Sequence, residues 1–295
     1  MYKSFRIKNF RCFKELSIDN LERVNLIAGA NNVGKTALLE AIFLHAGGTN
    51  IELTIRLNGF RGYDPFKVDD QVSENIWVPL FYQYDEKASI EIEAKDSDDQ
   101  IRRLRLKFIQ LDSATIQSNQ SFLEEKSFIS TDSISGGLEL EQESCDGRKV
   151  FRATIGPNGI QLNPLPDPLP FPCHFLAARM RHNLVQDAER YGHLEVKNQE
   201  HTILDFLKII EPNLKRLAMI VTSGVPTLHG DIGVGRLIPL AFMGDGMGRL
   251  ASLTIAVANA SGGVVLIDEI ENGIHHSLLT DVWRGIADCA RQFDV

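Results

Sequence analysis

A glycine-rich octapeptide near the start of the chain has the residue types that bind phosphate. It reads Gly29-Ala30-Asn31-Asn32-Val33-Gly34-Lys35-Thr36 and matches G-x-x-x-x-G-K-[ST] at every fixed position. In this phosphate-binding loop, glycine permits the turn, backbone N–H groups surround phosphate oxygens and a helix start adds its positive dipole end. Lys35 would reach the β- and γ-phosphates, and the Thr36 hydroxyl would bind Mg²⁺. The loop therefore predicts a site for a nucleoside triphosphate.

Two acids, Asp268 and Glu269, form a second chemical feature, the acid pair. They follow Val264-Val265-Leu266-Ile267, an apolar run typical of a buried strand in a parallel sheet. Open α/β sheets bind ligands at the carboxyl ends of their strands, where these acids lie. We expect Asp268 to hold Mg²⁺ through water and Glu269 to polarise the attacking water. A strand that ends in solvated acids is common, so the prediction depends on the phosphate-binding loop in the same chain.

A second glycine-rich segment, the glycine turn, is Met243-Gly244-Asp245-Gly246-Met247-Gly248-Arg249. It precedes a predicted helix whose Leu250, Leu253 and Val257 share one face. That helix is expected to end at Ser261-Gly262-Gly263, immediately before the strand of the acid pair. The three chemical segments thus follow one another as phosphate-binding loop, glycine turn and acid pair.

The elements around the phosphate-binding loop read as strand, loop and helix. From Tyr2 to Phe13, apolar and charged residues alternate as in a half-buried strand. A second strand is predicted at Val24-Asn25-Leu26-Ile27, directly before the loop. After the loop, Thr36 to Ala46 has helical spacing, and Gly47-Gly48 ends the helix. This is the context that a phosphate-binding loop requires.

Residues 50–172 predict an antiparallel β insertion. Alternation at Ser89–Glu93 and Arg103–Phe108 indicates strands, which polar turns separate. Arg103 and Arg105 could form a nucleic-acid stripe, but we interpret them as a solvated face opposite apolar side chains. Six of the 11 prolines lie between Pro157 and Pro172 and predict an extended connector, because proline disfavours helix and central strand.

Residues 173–295 return to the α/β pattern. His174–Ala177 reads as a short buried strand, and a polar stretch follows from Arg179 to Glu195. A helix is predicted from His201 to Ile210, ahead of a proline. Glycines between Gly224 and Gly235 predict hairpin turns. His275 and His276, which follow the acid pair, are interpreted as solvated side chains at a helix entry rather than as metal ligands, because no cysteine or other histidine lies at ligand spacing.

Composition and charge exclude several classes of protein. The 295 residues are 43% hydrophobic and 24% charged, as in a globular protein with a sizeable core. The formal net charge of −8 gives no protein-wide attraction to nucleic acid or anionic lipid. The four scattered cysteines argue against a zinc ribbon or a disulfide framework. No apolar stretch has the length of a signal peptide or membrane span, so we expect a cytoplasmic protein without membrane contact.

Four segments together resemble the ABC-type ATPase heads of the RecF/SMC group, and more closely the AAA-type ATPases related to the OLD (overcoming lysogenization defect) family. They are the opening Phe5-Arg6-Ile7-Lys8-Asn9-Phe10-Arg11-Cys12-Phe13, the phosphate-binding loop, the glycine turn at the place of the ABC signature motif, and the acid pair. The resemblance implies one α/β head of the P-loop NTPase fold, with a mixed central sheet, flanking helices and the antiparallel β insertion. Residues 1–49, 50–172 and 173–295 would be its parts.

The resemblance also implies ATP and Mg²⁺ as cofactors and ATP hydrolysis as the activity. Lys35 and Glu269 would be catalytic, and Thr36 and Asp268 would hold the metal. An N-K-x-D motif, which a Ras-like GTPase needs to read guanine, does not occur in the sequence. ATP is therefore favoured over GTP.

Heads of this group associate head to tail when they bind ATP, so the resemblance implies a homodimer. Gly244, Gly246 and Gly248 of one copy would then contact the nucleotide of the other. The RecF-like signature is S-x-G-x-x-R, and this chain keeps Gly246 and Arg249 but has Gly244 in place of serine. Backbone N–H groups would be the remaining donors.

The resemblance leaves several functions open. The chain could be an ATPase head that acts in phage defence or DNA maintenance. It could be the ATPase half of an OLD-type nuclease with a Toprim domain beyond Val295, since the sequence ends before the expected switch histidine and is expected to be truncated. It could also be a nucleotide-switched module for DNA or an effector protein, with a basic patch at Arg179, Arg181 and Arg190.

Overall fold

The structure is a computed structural model that describes residues 2–62, 76–110, 136–156, 159–178 and 184–295. The chain forms two compact units, Met1–Pro170 and Phe171–Val295, which meet in sequence inside the proline-rich connector. None of the helices in these described ranges is both long and apolar enough to cross a membrane.

The first unit is built on a seven-stranded antiparallel sheet in the order β2-β1-β3-β4-β5-β6-β7. Its elements are β1 (Tyr2–Phe10), β2 (Phe13–Ile18), α1 (Lys35–Ala46), α2 (Leu53–Phe60), β3 (Ile90–Asp96), β4 (Ile101–Gln110), β5 (Gly136–Ser144), β6 (Gly147–Gly156) and β7 (Gly159–Asn163). The strands predicted around Ser89–Glu93 and Arg103–Phe108 are thus confirmed as β3 and β4. They extend the same sheet as β1, because β1 pairs with both β2 and β3.

One face of this sheet is apolar and the other is charged. The buried face carries Phe5, Ile7, Ile90, Ile92, Leu104, Leu106, Leu138, Leu140 and Phe151. On the charged face, neighbouring strands carry opposite signs. Arg103 Nε on β4 lies 2.5 Å from Glu93 on β3, and Arg152 on β6 lies 2.9 Å from Glu139 on β5. Exposed pairs contribute little stability, but this alternation favours one order and register of the strands.

The charged face confirms the interpretation of Arg103 and Arg105 as a solvated face. Both guanidinium groups are bound to glutamates, since Arg105 also lies 3.0 Å from Glu91. Leu104, between them in sequence, is buried on the opposite face of the sheet.

The second unit combines a parallel strand pair with helices and a small antiparallel sheet. Its elements are β8 (Cys173–Leu176), α3 (Leu184–Val196), α4 (Glu200–Leu207), β9 (Arg216–Thr222), β10 (Val225–Asp231), β11 (Ile238–Pro239), α5 (Asp245–Ala258), β12 (Val264–Ile267) and α6 (Leu279–Gln292). Strand β12 pairs in parallel with β8, and β9, β10 and β11 form an antiparallel sheet. Helix α5 lies in the middle of the core and packs against α3, α4 and α6. Its Leu250 and Leu253 belong to the same cluster of buried side chains as residues of those helices. A mixed α/β fold with a large sheet and flanking helices is therefore confirmed.

The strand predicted at Val24–Ile27 is wrong. These residues form no strand within the described part of the chain, and the Leu26 side chain is 68% exposed. A strand requires hydrogen bonds from a neighbouring strand, and apolar sequence alone does not provide them.

The stretch from Arg179 to Glu195, interpreted only as polar, contains most of helix α3, whereas the helix predicted at His201–Ile210 is confirmed as α4.

Candidate functional site

The phosphate-binding loop leads directly into helix α1, which begins at Lys35. The Lys35 ammonium donates hydrogen bonds to the carbonyl oxygens of Gly29 and Ala30, each at 2.9 Å. Gly34 has φ 104, and a Cβ there would lie 2.6 Å from Cys12 Sγ and 2.7 Å from the Phe13 ring. Only glycine satisfies both the conformation and the close approach. The phosphate-binding loop is therefore packed at Gly34 against Cys12 and Phe13 of the β1–β2 turn.

The start of α1 suits an anion. No side chain caps the helix, and its first turn contains no acidic residue. The first N–H groups of a helix have no partner within the helix, and the helix dipole makes this end positive. These amides and the Lys35 ammonium are the donors that a polyphosphate needs. The Thr36 hydroxyl adds a hard oxygen ligand of the kind that Mg²⁺ prefers.

A buried ion cluster holds α1 in place. Glu40, which is fully buried, accepts hydrogen bonds from Arg11 Nε at 3.1 Å and from Arg61 Nε at 2.6 Å. Burial lowers the pKa of Arg11, and the Glu40 carboxylate opposes that shift. The cluster joins α1 to the β1–β2 turn and to the end of α2. Sequence reasoning missed it, although a single charge among Leu38, Leu39, Ile42 and Phe43 was a usable signal.

The acid pair lies at the carboxyl end of β12, as predicted. The Asp268 N–H donates to the Leu176 carbonyl of β8 at 3.0 Å, and Asp268 is only 7% exposed. Glu269 is exposed and has φ 49, a conformation uncommon for a residue with a side chain. Asn272 Nδ2 donates to Glu269 Oε2 at 2.7 Å. The two acids thus differ in surroundings, one buried and one open to solvent.

Arg249 connects the glycine turn with the acid pair. Its Nη2 atom donates to the carbonyl oxygens of both Asp268 and Glu269, each at 2.6 Å. Burial lowers the pKa of Arg249, whereas the nearby carboxylates of Glu269, Asp268 and Glu271 oppose the shift. Sequence reasoning noted Arg249 only as part of a pattern, because no pattern shows which carbonyl groups a side chain reaches.

The three predicted glycines occupy different environments at the start of α5. Gly244 is exposed with φ 103 and ψ 153, a conformation that is essentially restricted to glycine. Gly246 is buried, and a Cβ there would lie 2.4 Å from the Gly273 carbonyl oxygen. Gly248 is half-buried in the first turns of the helix. The glycine turn therefore packs directly against the loop that follows the acid pair.

The structure brings the predicted residues together in two groups. Within the first unit, the phosphate-binding loop and Thr36 lie at the start of α1. Within the second unit, the glycine turn and the acid pair are connected by Arg249. The assignment of all these residues to one nucleotide site stays a prediction.

Other predicted side chains lie elsewhere. His275 and His276 are exposed at a short 3₁₀ turn, and His275 Nδ1 is 2.8 Å from Ser277 Oγ, as expected for solvated residues at a helix entry. Among the described residues, no group of three or more potential metal ligands occurs. In the proposed basic patch, Arg190 is half-buried and contacts His174 Nδ1 at 3.2 Å, whereas Arg179 and Arg181 lie outside the described residues.

Comparison with known families shows the family to which the chain belongs. A family model described as "AAA ATPase domain" matches residues 1–158, more than half of the sequence. The chain belongs to the AAA ATPase domain family. A second AAA domain model, whose description names the AbiEii toxin of type IV toxin–antitoxin systems, matches residues 175–293. The two matches together include the phosphate-binding loop, the glycine turn and the acid pair.

This AAA ATPase is similar to several known proteins. An ATP/GTP phosphatase of Helicobacter pylori is 25% identical over 304 residues, which cover 98% of this chain and 80% of the relative. The SMC head bound to the C-winged helix domain of ScpA matches 98% of this chain and 86% of its own, with 12% identity and a TM-score of 0.48. The SMC head domain from Thermotoga maritima matches 98% and 85%, with 12% identity and a TM-score of 0.42.

Proposed function

We propose that this AAA ATPase hydrolyses ATP with Mg²⁺ at a composite site formed by two copies in head-to-tail association. Lys35 and the loop amides of one copy bind the phosphates. Thr36 and Asp268 are the residues that would hold Mg²⁺, and the bound ion would supply positive charge to the transferred phosphoryl group. Glu269 orients the attacking water. The glycine turn of the other copy contacts the γ-phosphate through its backbone N–H groups.

The geometry of the phosphate-binding loop is the observation that carries this proposal. Gly34 admits no Cβ, and an uncapped helix with Lys35 in its first position follows it. When ATP binds, Lys35 exchanges the carbonyl oxygens of Gly29 and Ala30 for phosphate oxygens. Membership of the AAA ATPase domain family and the similarity to an ATP/GTP phosphatase support the same reaction class.

Two variants test the proposed roles. Lys35→Ala is expected to abolish ATP binding, because the loop loses its only side-chain cation. Glu269→Gln is expected to keep ATP binding but to lower the hydrolysis rate by about 100- to 10,000-fold, as for loss of a catalytic acid–base group. Isothermal titration calorimetry measures binding, and phosphate release measures turnover.

A matched variant controls for loss of a lysine. Lys208→Ala removes an exposed lysine that pairs with Asp205 on the surface, so binding and turnover should equal those of the parent protein. Retained ATP affinity in Lys35→Ala would refute the role of the phosphate-binding loop. A Glu269→Gln variant that hydrolyses ATP at the parent rate would refute the role of Glu269.

We propose that the ATPase acts in phage defence or DNA maintenance, where nucleotide binding switches contact with DNA or an effector protein. The description of the second family, which names a toxin, supports an effector system. Stimulation of phosphate release by DNA, lost steeply with added salt, would support a DNA partner. An OLD-type Toprim partner domain stays a prediction.

A further inference from the structure

The proposed reaction requires the Glu269 carboxylate to stay in one position beside the attacking water. Glu269 nevertheless lies in an irregular segment after β12 and is exposed. Its backbone has φ 49, which a residue with a side chain adopts only when its surroundings hold it there. Nearby groups must therefore fix both the backbone and the side chain of Glu269.

Arg249 fixes the backbone. One nitrogen, Nη2, donates to the two consecutive carbonyl groups of Asp268 and Glu269 at 2.6 Å each. Hydrogen bonds from a charged donor are about twice as strong as those between neutral groups. The two carbonyl groups belong to the peptide units on either side of the Glu269 Cα, so the guanidinium fixes the direction in which the Glu269 side chain points from the backbone.

Asn272 fixes the side chain of Glu269. The contact between Gly246 and Gly273 places Arg249 within hydrogen-bonding distance of the Asp268 and Glu269 carbonyl groups. Asn272 Nδ2 donates to Glu269 Oε2 at 2.7 Å, and its own N–H donates to the Glu269 carbonyl at 3.1 Å. Gly246 lies so close to Gly273 that a Cβ would come within 2.4 Å of the Gly273 carbonyl oxygen. The start of α5 and the loop after Glu269 are thus in direct backbone contact.

We propose that Arg249 and Asn272 are positioning residues for Glu269. Arg249 acts through the backbone and Asn272 through the carboxylate. Because Arg249 ends the glycine turn, this arrangement also makes the turn and the water-orienting carboxylate of one copy a single rigid part. The inference rests on the proposed role of Glu269 in hydrolysis.

A double-mutant cycle tests this role. Arg249→Met and Asn272→Ala are made alone and in the Glu269→Gln background, and kcat, KM and ATP affinity are measured. We expect Arg249→Met to lower kcat by about 10- to 100-fold and Asn272→Ala by a smaller factor, with ATP affinity changed less than about threefold. In the Glu269→Gln background, neither should lower kcat by more than about twofold, because no carboxylate remains to be positioned.

The controls separate this inference from general effects on folding. Arg284→Met removes an arginine that is 68% exposed on α6 and pairs with Asp281, so kcat should not change. Equal loss of kcat in both backgrounds would show a merely structural role and overturn the inference. If Arg249→Met does not fold, Asn272→Ala, at an exposed position, is used alone. The inference then still requires that its loss of kcat disappears in the Glu269→Gln background.

The outcome also separates the inference from the function it rests on. A Glu269→Gln variant with parent activity would refute the proposed function itself. A slow Glu269→Gln variant together with parent kcat in both Arg249→Met and Asn272→Ala would refute only the positioning role.

Discussion

His45, in the last turn of α1, is a buried residue whose protonation state is set by its surroundings. Its Nε2 atom lies 3.0 Å from the Arg102 carbonyl and therefore carries the proton, so Nδ1 accepts a hydrogen bond from the Tyr2 hydroxyl at 2.9 Å. Burial, with a smaller contribution from the Arg102 charge, lowers the pKa of His45 from 6.5 to about 3. The neutral imidazole is thus a structural part of the link between α1, β1 and β4.

This pKa predicts a loss of stability in mild acid. Between pH 6.5 and about 3, the unfolded chain binds a proton at His45 that the folded protein does not, so stability falls as pH falls and is unaffected above that range. From pH 7 to pH 5, the parent protein should lose about 2 kcal/mol more than His45→Gln. Urea unfolding at both pH values measures this difference. Equal losses in the two proteins would contradict the buried neutral histidine.

Among functional residues, those defined by local sequence were predictable and those defined by tertiary contacts were not. Lys35 follows a glycine loop and Asp268 ends an apolar run, so the sequence alone predicts where each lies. Arg249 and Asn272 owe their proposed roles to carbonyl and carboxylate groups that the fold brings to them. The positive φ of Glu269 is likewise invisible in sequence, because glutamate has no preference for it.

At the level of elements, helix α1 anchors the phosphate-binding loop, because it begins directly after the loop and is packed into the core of the first unit. Its residues from Ala37 to Ala46 are buried on all sides, which explains why its sequence is apolar around the whole helix. The prediction of this helix was confirmed because helical spacing and end glycines are local signals. The strand at Val24–Ile27 failed because strand formation depends on a partner that local sequence does not specify.

The ion cluster on α1 should be a large contributor to the stability of the first unit. Glu40→Leu leaves Arg11, whose side chain is 9% exposed, without its carboxylate partner. Removing one partner of a buried ion pair costs about 3–5 kcal/mol. Asp281→Ala, which removes an exposed partner of Arg284 on α6, should cost at most about 1 kcal/mol. Denaturant unfolding compares the two, and similar small losses would show that Glu40 is not needed to balance Arg11.

At the scale of the whole molecule, the net charge of −8 gives no general attraction for a polyanion such as ATP. Binding must therefore come from local donors, and the proposed donors are the amides at the start of α1 and the Lys35 ammonium. The fold class was predictable, because motifs in a fixed order specify an α/β nucleotide-binding fold. The proposed association of two copies depends on surfaces that those motifs do not describe, so a separate measurement tests it.

Complementation between two inactive variants tests the composite site most directly. Lys35→Ala disables the phosphate-binding loop, and Gly244→Asp disables the glycine turn, because Gly244 has φ 103 and ψ 153. Gly224→Asp, at φ 80 with no atom within 4 Å of an added Cβ, is the matched control in the β9–β10 turn and should stay active.

In a dimer of the two inactive variants, the intact loop of one copy meets the intact glycine turn of the other. An equal mixture, combined before ATP is added, should therefore hydrolyse ATP at about a quarter of the parent rate, since half of the dimers contain one of two sites. A composite site thus requires that activity is recovered from two proteins that are each inactive. A mixture no more active than the average of the separate variants would contradict the composite site.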